Sequence, residues 1–256
     1  MRSSDSPTPF RRFEGVVVLV TGAASGIGRA IAGRLAGEGA SIFAVDIDEG
    51  GLDALAADTD GAVVAHVADL SDPARCGSVV QACVDQFGRL DVLGNVAGIY
   101  RTSHATELTV AQYREILSIN LDGPVFLSTA AIPHLLETGG SIVTVASHSG
   151  LQGVPYALAY SITKAGLIAM TRSLAVEYLK TTLRVNAIAP GMTNTAMVAN
   201  ATFPDEVDMD LLTRLGGYRG PTEPDEVAAL FAFLASDEAR SVTGAVYTID
   251  NGLTVS

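Results

Sequence analysis

The stretch Val16-Val17-Val18-Leu19-Val20-Thr21-Gly22-Ala23-Ala24-Ser25-Gly26-Ile27-Gly28 decides how this chain folds. Five successive apolar residues leave no polar face, so Val16–Val20 reads as a strand buried on both sides, the pattern of a parallel sheet. Gly22, Gly26 and Gly28 follow, and from Ile27 to Gly37 the apolar spacing becomes helical. Strand, glycine-rich turn and helix in that order suit an anion: backbone N–H groups at the helix N-terminus face it, and glycine lets a diphosphate approach. The spacing is GxxxGxG rather than GxGxxG, and Arg29 rather than Lys-Ser/Thr follows the last glycine, so this is not a P-loop. An ordinary strand-to-helix turn is the competing reading, and residues further along must decide between them.

Outward from this unit the same rhythm repeats. Apolar runs occur at Val16–Val20, Ser41–Val45, Ala62–Val67, Leu90–Leu93, Ser141–Val145, Leu183–Ile188 and Ala245–Ile249. Between them lie helical patterns at Ile27–Gly37, Leu52–Ala57, Pro73–Phe87, Val110–Leu136, Ala159–Leu179 and Pro224–Ala235. This alternation predicts an α/β fold, a single doubly wound domain with a seven-stranded parallel sheet and helices on both faces. Ligands of such sheets bind beyond the carboxyl ends of the strands. Residues 13–256 are assigned to this one domain. Residues 1–12 are read as a mobile tail, and MRSSDSPTPFRRFEG, lacking an apolar stretch, as no signal peptide.

Composition narrows the function. The chain has 256 residues with a net charge of −12, which disfavours nucleic acid and anionic membranes as partners. No apolar run approaches the roughly 18 residues of a membrane span. Cys76 and Cys83 read as buried helix filler and suit a reducing, cytoplasmic setting. The four histidines show no ligand spacing, so no metal is expected.

Asp46 ends the second run, 18 residues after Gly28. A carboxylate at about that distance bonds a ribose 2′-hydroxyl and repels a 2′-phosphate, which predicts NAD rather than NADP as cofactor. No cation offsets it: Ile47 follows, and Arg29 reads as a solvated helix charge. Asp69-Leu70, after the third run, is placed either to meet an adenine or to cap the helix at Pro73, for which Asp72 is the better cap.

The chain has only two lysines, and one of them, Lys164, stands four residues after Tyr160 on a helical pattern. The pair shares a face. A phenol with a pKa near ~10 is a poor base at neutral pH, and an ammonium close by lowers it towards the value a proton shuttle needs. Ser147 ends the fifth run, 13 residues before Tyr160, with a hydroxyl suited to a reacting oxygen. A helix-surface cation beside a core aromatic, and a serine in a turn, are the plainer alternatives.

Together these residues resemble the short-chain dehydrogenase/reductase family. The resemblance runs from about Phe13 to the C-terminus. It rests on TGAASGIG, Asp46, Asp69-Leu70, NVAG at Asn95–Gly98, Asn120 in SINLDG, Ser147 in VASHSG, YSITK at Tyr160–Lys164 and PGMTNT from Pro190. It implies a Rossmann-like fold and reversible hydride transfer between NAD and a secondary alcohol or ketone. Tyr160 would be the acid/base, Lys164 would bind the nicotinamide ribose and depress the phenol, Ser147 would orient the substrate oxygen, and Asn120 would hold a proton-relaying water. The implied cofactor contacts are Gly22, Ser25, Gly26, Ile27, Gly28, Asp46, Ile47, Asp69, Leu70, Asn95, Ala97, Gly98, Tyr160, Lys164, Pro190, Gly191, Thr193 and Thr195. Two departures stand out. The usual Asn-Asn-Ala-Gly reads Asn95-Val96-Ala97-Gly98, and the usual Asp-Gly-Gly reads Asp250-Asn251-Gly252, where Asn tolerates positive φ.

Substrate residues are expected from Gly98–Ser103, His148–Tyr156 and a mobile lid, Met192–Gly220. His148 could bond a substrate or be a solvated loop histidine; Arg101, Arg214 and Arg219 could bind a carboxylate but suit solvent better. The helix at Ala159–Leu179 is apolar almost all round, so one face wants a subunit partner, and the resemblance points to a homotetramer.

Overall fold

The computed structural model describes residues 11–213, 215 and 219–255. Seven parallel strands form one sheet: β1 (Val17–Thr21), β2 (Ser41–Asp46), β3 (Val63–Val67), β4 (Val92–Asn95), β5 (Ser141–Val145), β6 (Arg184–Pro190) and β7 (Val246–Ile249). Their order is β3-β2-β1-β4-β5-β6-β7. The chain leaves β1 towards β2 on one side and returns to β4 on the other. That topological switch opens a crevice at the carboxyl ends of β1 and β4.

The pleat of β1 explains the layers. All five of its residues are buried, and alternate side chains serve opposite faces. Val18 and Val20 join Ile31 and Leu35 of α1 (Gly26–Gly37) and Phe231 of α9 (Pro224–Ala235). Val17 and Leu19 join Val79, Val80 and Cys83 of α3 (Cys76–Phe87) and Leu127 and Leu135 of α5 (Gly123–Thr138). Each such side chain contributes about 1.5–3 kcal/mol by leaving water. Gly94 belongs to this packing: a Cβ there would lie 3.0 Å from the Phe231 ring. The remaining helices are α2 (Glu49–Ala57), α4 (Val110–Leu117), α6 (Leu158–Glu177), α7 (Ala196–Ala199) and α8 (Met209–Thr213).

Local sequence accounts for several element ends. Asp72 caps the turn at Pro73 by accepting from the Ala74 N–H at 3.0 Å. Thr109 and Gln112 form a reciprocal capping box at the start of α4. Asn251 adopts φ +54°, so the altered C-terminal turn keeps a left-handed residue. Cys76 and Cys83 are both buried, and burial raises their thiols to about 11 and about 12.

Three expectations need correction. The tail does not extend to Arg12, whose guanidinium donates to Glu38 at 2.7 and 3.0 Å and to Glu238 at 2.6 Å; residues 1–10 lie outside the described residues. The helix expected over Val110–Leu136 is two α-helices joined by a π-helical turn, Ser118–Asp122. The continuous helical stretch Val110–Thr138 is long and apolar enough to cross a membrane by length and composition. Its second part, α5, lies against the sheet with Leu127 and Leu135 buried, and its first part, α4, packs on α6 with Ile116 buried, as in a core helix.

Candidate active site

The turn after β1 is closed by crowding. Gly22 has φ +68°, and a Cβ there would lie 2.9 Å from the Ala97 Cα. A Cβ on Gly28 would lie 2.0 Å from the Gly22 carbonyl oxygen. Only glycine lets the turn fold back on itself and against the exit of β4. Ser25, Gly26, Ile27 and Gly28 then line a cleft of about 350 Å³ together with Asp46, Ile47, Asp69, Leu70, Ala97 and Gly98. The first turn of α1 carries no side-chain cap, which leaves its N–H groups for an anion.

Asp46 closes the far rim. Its carboxylate accepts from the Ala24 N–H at 3.0 Å, the Ile47 N–H at 2.8 Å and the Asp48 N–H at 3.1 Å. It therefore ties the end of β2 to the glycine turn. Arg29 points elsewhere, to Asp58 at 2.7 Å. Asp69 is exposed and accepts from the Ser71 N–H at 2.9 Å, a bond that holds its carboxyl below the usual range.

A second space of about 90 Å³ shares Ile27, Val96, Gly98 and Thr195 with the first, and adds Ser147, Tyr160, Lys164, Pro190, Gly191 and Thr193. The cleft is thus continuous from Asp46 to Tyr160. Lys164 is buried; its Nζ donates to the Val145 carbonyl at 3.0 Å and lies 5.5 Å from the centre of the Tyr160 ring. Ser147 accepts from the Ser149 N–H at 3.1 Å and its hydroxyl donates to Ser149 Oγ at 3.2 Å, and it lines the same space as Tyr160. The net effect of the protein on the phenol is a rise rather than the expected depression by Lys164. Burial pushes Tyr160 up to about 12, against a downward pull from the Ser147 hydroxyl and with a smaller push from Tyr100. Burial also brings Lys164 down to about 8. Desolvation disfavours both charged forms and is the largest cause at each.

Asn120 sits in the π turn, fully buried, with both amide atoms engaged: Oδ1 accepts from the Ile99 N–H and Nδ2 donates to the Ile99 carbonyl, each at 2.8 Å. A Cβ on Gly98 would lie 3.2 Å from Asn120 Oδ1 and 3.7 Å from Lys164 Nζ, so Gly98 keeps these two side chains close. Thr193 and Thr195 line the reaction end, with their hydroxyls donating to Gly191 and Thr193 carbonyls at 3.3 and 3.4 Å.

Some expected residues are turned away. The Asn95 side chain is buried off the cleft, donating to Ser128 at 3.0 Å and reaching Thr144 at 3.5 Å; it ties β4 to β5 and α5. Its side chain is therefore not part of the cleft lining. His148 is half-buried against Pro190 and is neither a solvated nor a cleft-lining residue. Arg101 is exposed and donates to the Tyr100 carbonyl at 3.1 Å. Arg214 lies outside the described residues. The first part of the expected lid rests on the expected substrate segments: Tyr156 accepts from the Asp208 N–H at 2.7 Å, and Thr102 donates to the Thr202 carbonyl at 2.5 Å.

One residue escaped the sequence reading, and one inside an expected substrate segment makes a contact that reading did not give. Thr21 Oγ1 donates to the Gly94 carbonyl at 3.2 Å and accepts from the Val96 and Ala97 N–H groups at 2.9 and 3.1 Å, so it stitches β1 to the exit of β4. Its signal was a polar residue closing an otherwise apolar strand. Tyr100 meets Tyr160 edge to face, with ring centres 4.9 Å apart, and no spacing rule announces it.

A glycine cradle that any Cβ would fill, an open helix N-terminus and a carboxylate at the far rim fit an extended dinucleotide. Comparison with known proteins agrees. A family model described as enoyl-(acyl carrier protein) reductase matches residues 22–254. The 3-oxoacyl-[acyl-carrier-protein] reductase of Thermotoga maritima is 38% identical over 95% of this chain and 100% of its own. The meso-2,3-butanediol dehydrogenase of Serratia marcescens is 36% identical over 96% and 97%. A Brucella melitensis 3-ketoacyl-(acyl-carrier-protein) reductase structure complexed with NADH has a TM-score of 0.85 at 31% identity, covering 94% and 99%. A Burkholderia cenocepacia short chain dehydrogenase structure in complex with NADP has a TM-score of 0.85 at 33% identity, covering 94% and 99%. Whole-length likeness of this kind, together with the cleft, shows that the chain belongs to the short-chain dehydrogenase/reductase family of oxidoreductases.

Proposed function

We propose that the protein transfers a hydride between NAD(H) and a secondary alcohol or ketone, with Tyr160 handling the proton. The observation that carries this reading is the meeting of Ser147, Tyr160 and Lys164 at one end of the cleft whose other end is Asp46. A nicotinamide supplies or accepts the hydride when bound. Gly22, Gly26 and Gly28 would admit its diphosphate, and Pro190–Thr195 would flank the nicotinamide end. In ketone reduction Tyr160 donates its proton to the carbonyl oxygen. A phenol at about 12 is fully protonated at neutral pH, as a donor should be. Ser147 holds the same oxygen, and the Lys164 ammonium offsets the charge left on Tyr160. Asn120, beside Lys164 across Gly98, marks the route by which the proton is replaced.

The preference for NAD(H) rests on Asp46. Three backbone N–H bonds fix its carboxylate at the rim, and no cation stands beside it among the described residues lining the cleft. A carboxylate keeps lone pairs for a ribose hydroxyl and repels a phosphate. The butanediol dehydrogenase relative supports a small alcohol or ketone. The Thermotoga relative's name supports a second reading, reduction of a 3-oxoacyl thioester, which a chain at −12 disfavours if the carrier is acidic. Homotetramer formation is proposed from the exposed Ile162, Val176 and Leu179 on and just beyond α6.

The test is a panel of ketones and secondary alcohols, and a 3-oxoacyl thioester, with NAD(H) and NADP(H) in parallel on the wild type and Tyr160→Phe. The variant should lose about 10²–10⁴-fold in turnover while binding NADH as the wild type does. Full turnover by Tyr160→Phe would refute the reading.

A further inference from the structure

His148 lies off the lining of the cleft, yet it joins two segments that border the reaction end. It follows Ser147 directly, and its Nδ1 sits 3.2 Å from the Pro190 carbonyl oxygen, 42 positions away in sequence. Pro190 closes β6 and begins the segment Pro190–Thr195 beside Ser147 and Tyr160. A carbonyl oxygen only accepts, so Nδ1 carries the hydrogen and Nε2 is the acceptor nitrogen. Nε2 is buried without a hydrogen-bond partner among the described residues. A histidine serving solvent or substrate would present that nitrogen to one of them. Here the ring is spent on its other side, and its weaker contact, 3.5 Å to Ser147 Oγ, is also through Nδ1. Gly191 is fixed as well: a Cβ there would lie 2.9 Å from the Asp250 Cα. The Pro190–Gly191 peptide is thus seated on the Asp250 backbone and tethered by the His148 ring.

We propose that His148 is a positioning residue whose Nδ1–H bond to the Pro190 carbonyl keeps the Ser147 loop in register with the segment that holds the nicotinamide end of the cofactor. This rests on the functional reading above. Losing the bond lets two borders of one small space move apart, so the effect falls on the cofactor and on alignment for reaction rather than on folding.

Isosteric amides separate the two ring nitrogens. In His148→Asn the side-chain amide N–H stands where Nδ1–H stands; in His148→Gln it stands nearer Nε2. NADH affinity is read by fluorescence titration, KM and kcat with a ketone that the wild type reduces, and Tm by calorimetry. His148→Asn should stay within about threefold of the wild type, whereas His148→Gln and His148→Ala should weaken NADH binding and lower kcat/KM by about tenfold, the worth of one hydrogen bond. The Asn and Gln variants should melt alike. Equal NADH affinity in the Asn and Gln variants, or wild-type affinity in His148→Ala, would overturn the proposal. A wild type that binds NADH but reduces no ketone would refute the functional reading instead, and the Asn-over-Gln order in NADH affinity would still decide the role of His148.

Discussion

Lys164 Nζ lies 5.5 Å from the centre of the Tyr160 ring while donating to the Val145 carbonyl, so burial acts in opposite senses on two neighbours one helical turn apart. The phenol is pushed up to about 12 and the amine down to about 8. The phenol keeps its proton across neutral pH, and the amine is the member that titrates within reach of an assay.

Ketone reduction should therefore lose kcat as pH rises through about 8. Below that value Lys164 is charged and offsets the phenolate left by proton donation; above it the amine is neutral and the offset is gone. Lys164→Arg keeps its charge throughout, since guanidinium titrates above about 12. That variant should show no alkaline limb, at a kcat lowered by about tenfold or more because the planar fork cannot replace a point charge. The check is a kcat profile between about pH 6 and 10 for both proteins. A limb near 8 that persists in Lys164→Arg would assign the titration to another group.

Cofactor choice can be moved at Asp46. Asp46→Ser removes the negative charge from the rim and keeps a small acceptor for the Ala24 N–H. kcat/KM with NADH should fall by about 10–100-fold, the range for a hydrogen bond to a charged group, while kcat/KM with NADPH should rise. Both are measured by reduced-cofactor absorbance with one ketone. Unchanged discrimination in this variant would remove Asp46 as its source.

Much of this arrangement was legible because it depends on short-range rules. The unbroken apolar run at β1 could only be a doubly buried strand, and its alternate residues serve opposite cores as the pleat requires. Tyr160 and Lys164 share a face because they are one turn apart, and Ser147 reaches them because it ends the neighbouring strand. What stayed hidden depends on distant partners. The direction of Asn95 is set by Ser128 and Thr144, 33 and 49 positions on. The roles of His148 and Arg12 appear only once β6 and α1 are in place. The π turn at Asn120 looks like ordinary helix in its spacing, and the phenol's rise follows from burial, which a local pattern does not report.

Glu38, just past the end of α1, is buried and receives hydrogen bonds from both Arg12 and Arg34. Burial alone would raise its carboxyl; the two guanidinium hydrogen bonds and charges outweigh it and hold the group below 4.5. The folded value thus lies under the unfolded one. The stability that follows is complete above about 4.5, the unfolded value, and is lost as pH falls through the lower folded value. Glu38→Gln should cost about 1–2 kcal/mol at neutral pH, discounted because Arg34 and Glu238 are solvent-facing. That corresponds to about 3–6 °C in Tm for a chain of this size. Calorimetry at about pH 7 and about pH 3 should show the smaller gap in acid, where protonation of the wild-type carboxyl is further advanced. A gap of equal size at both pH values would mean that packing around Glu38, rather than its charge, anchors the start of the domain.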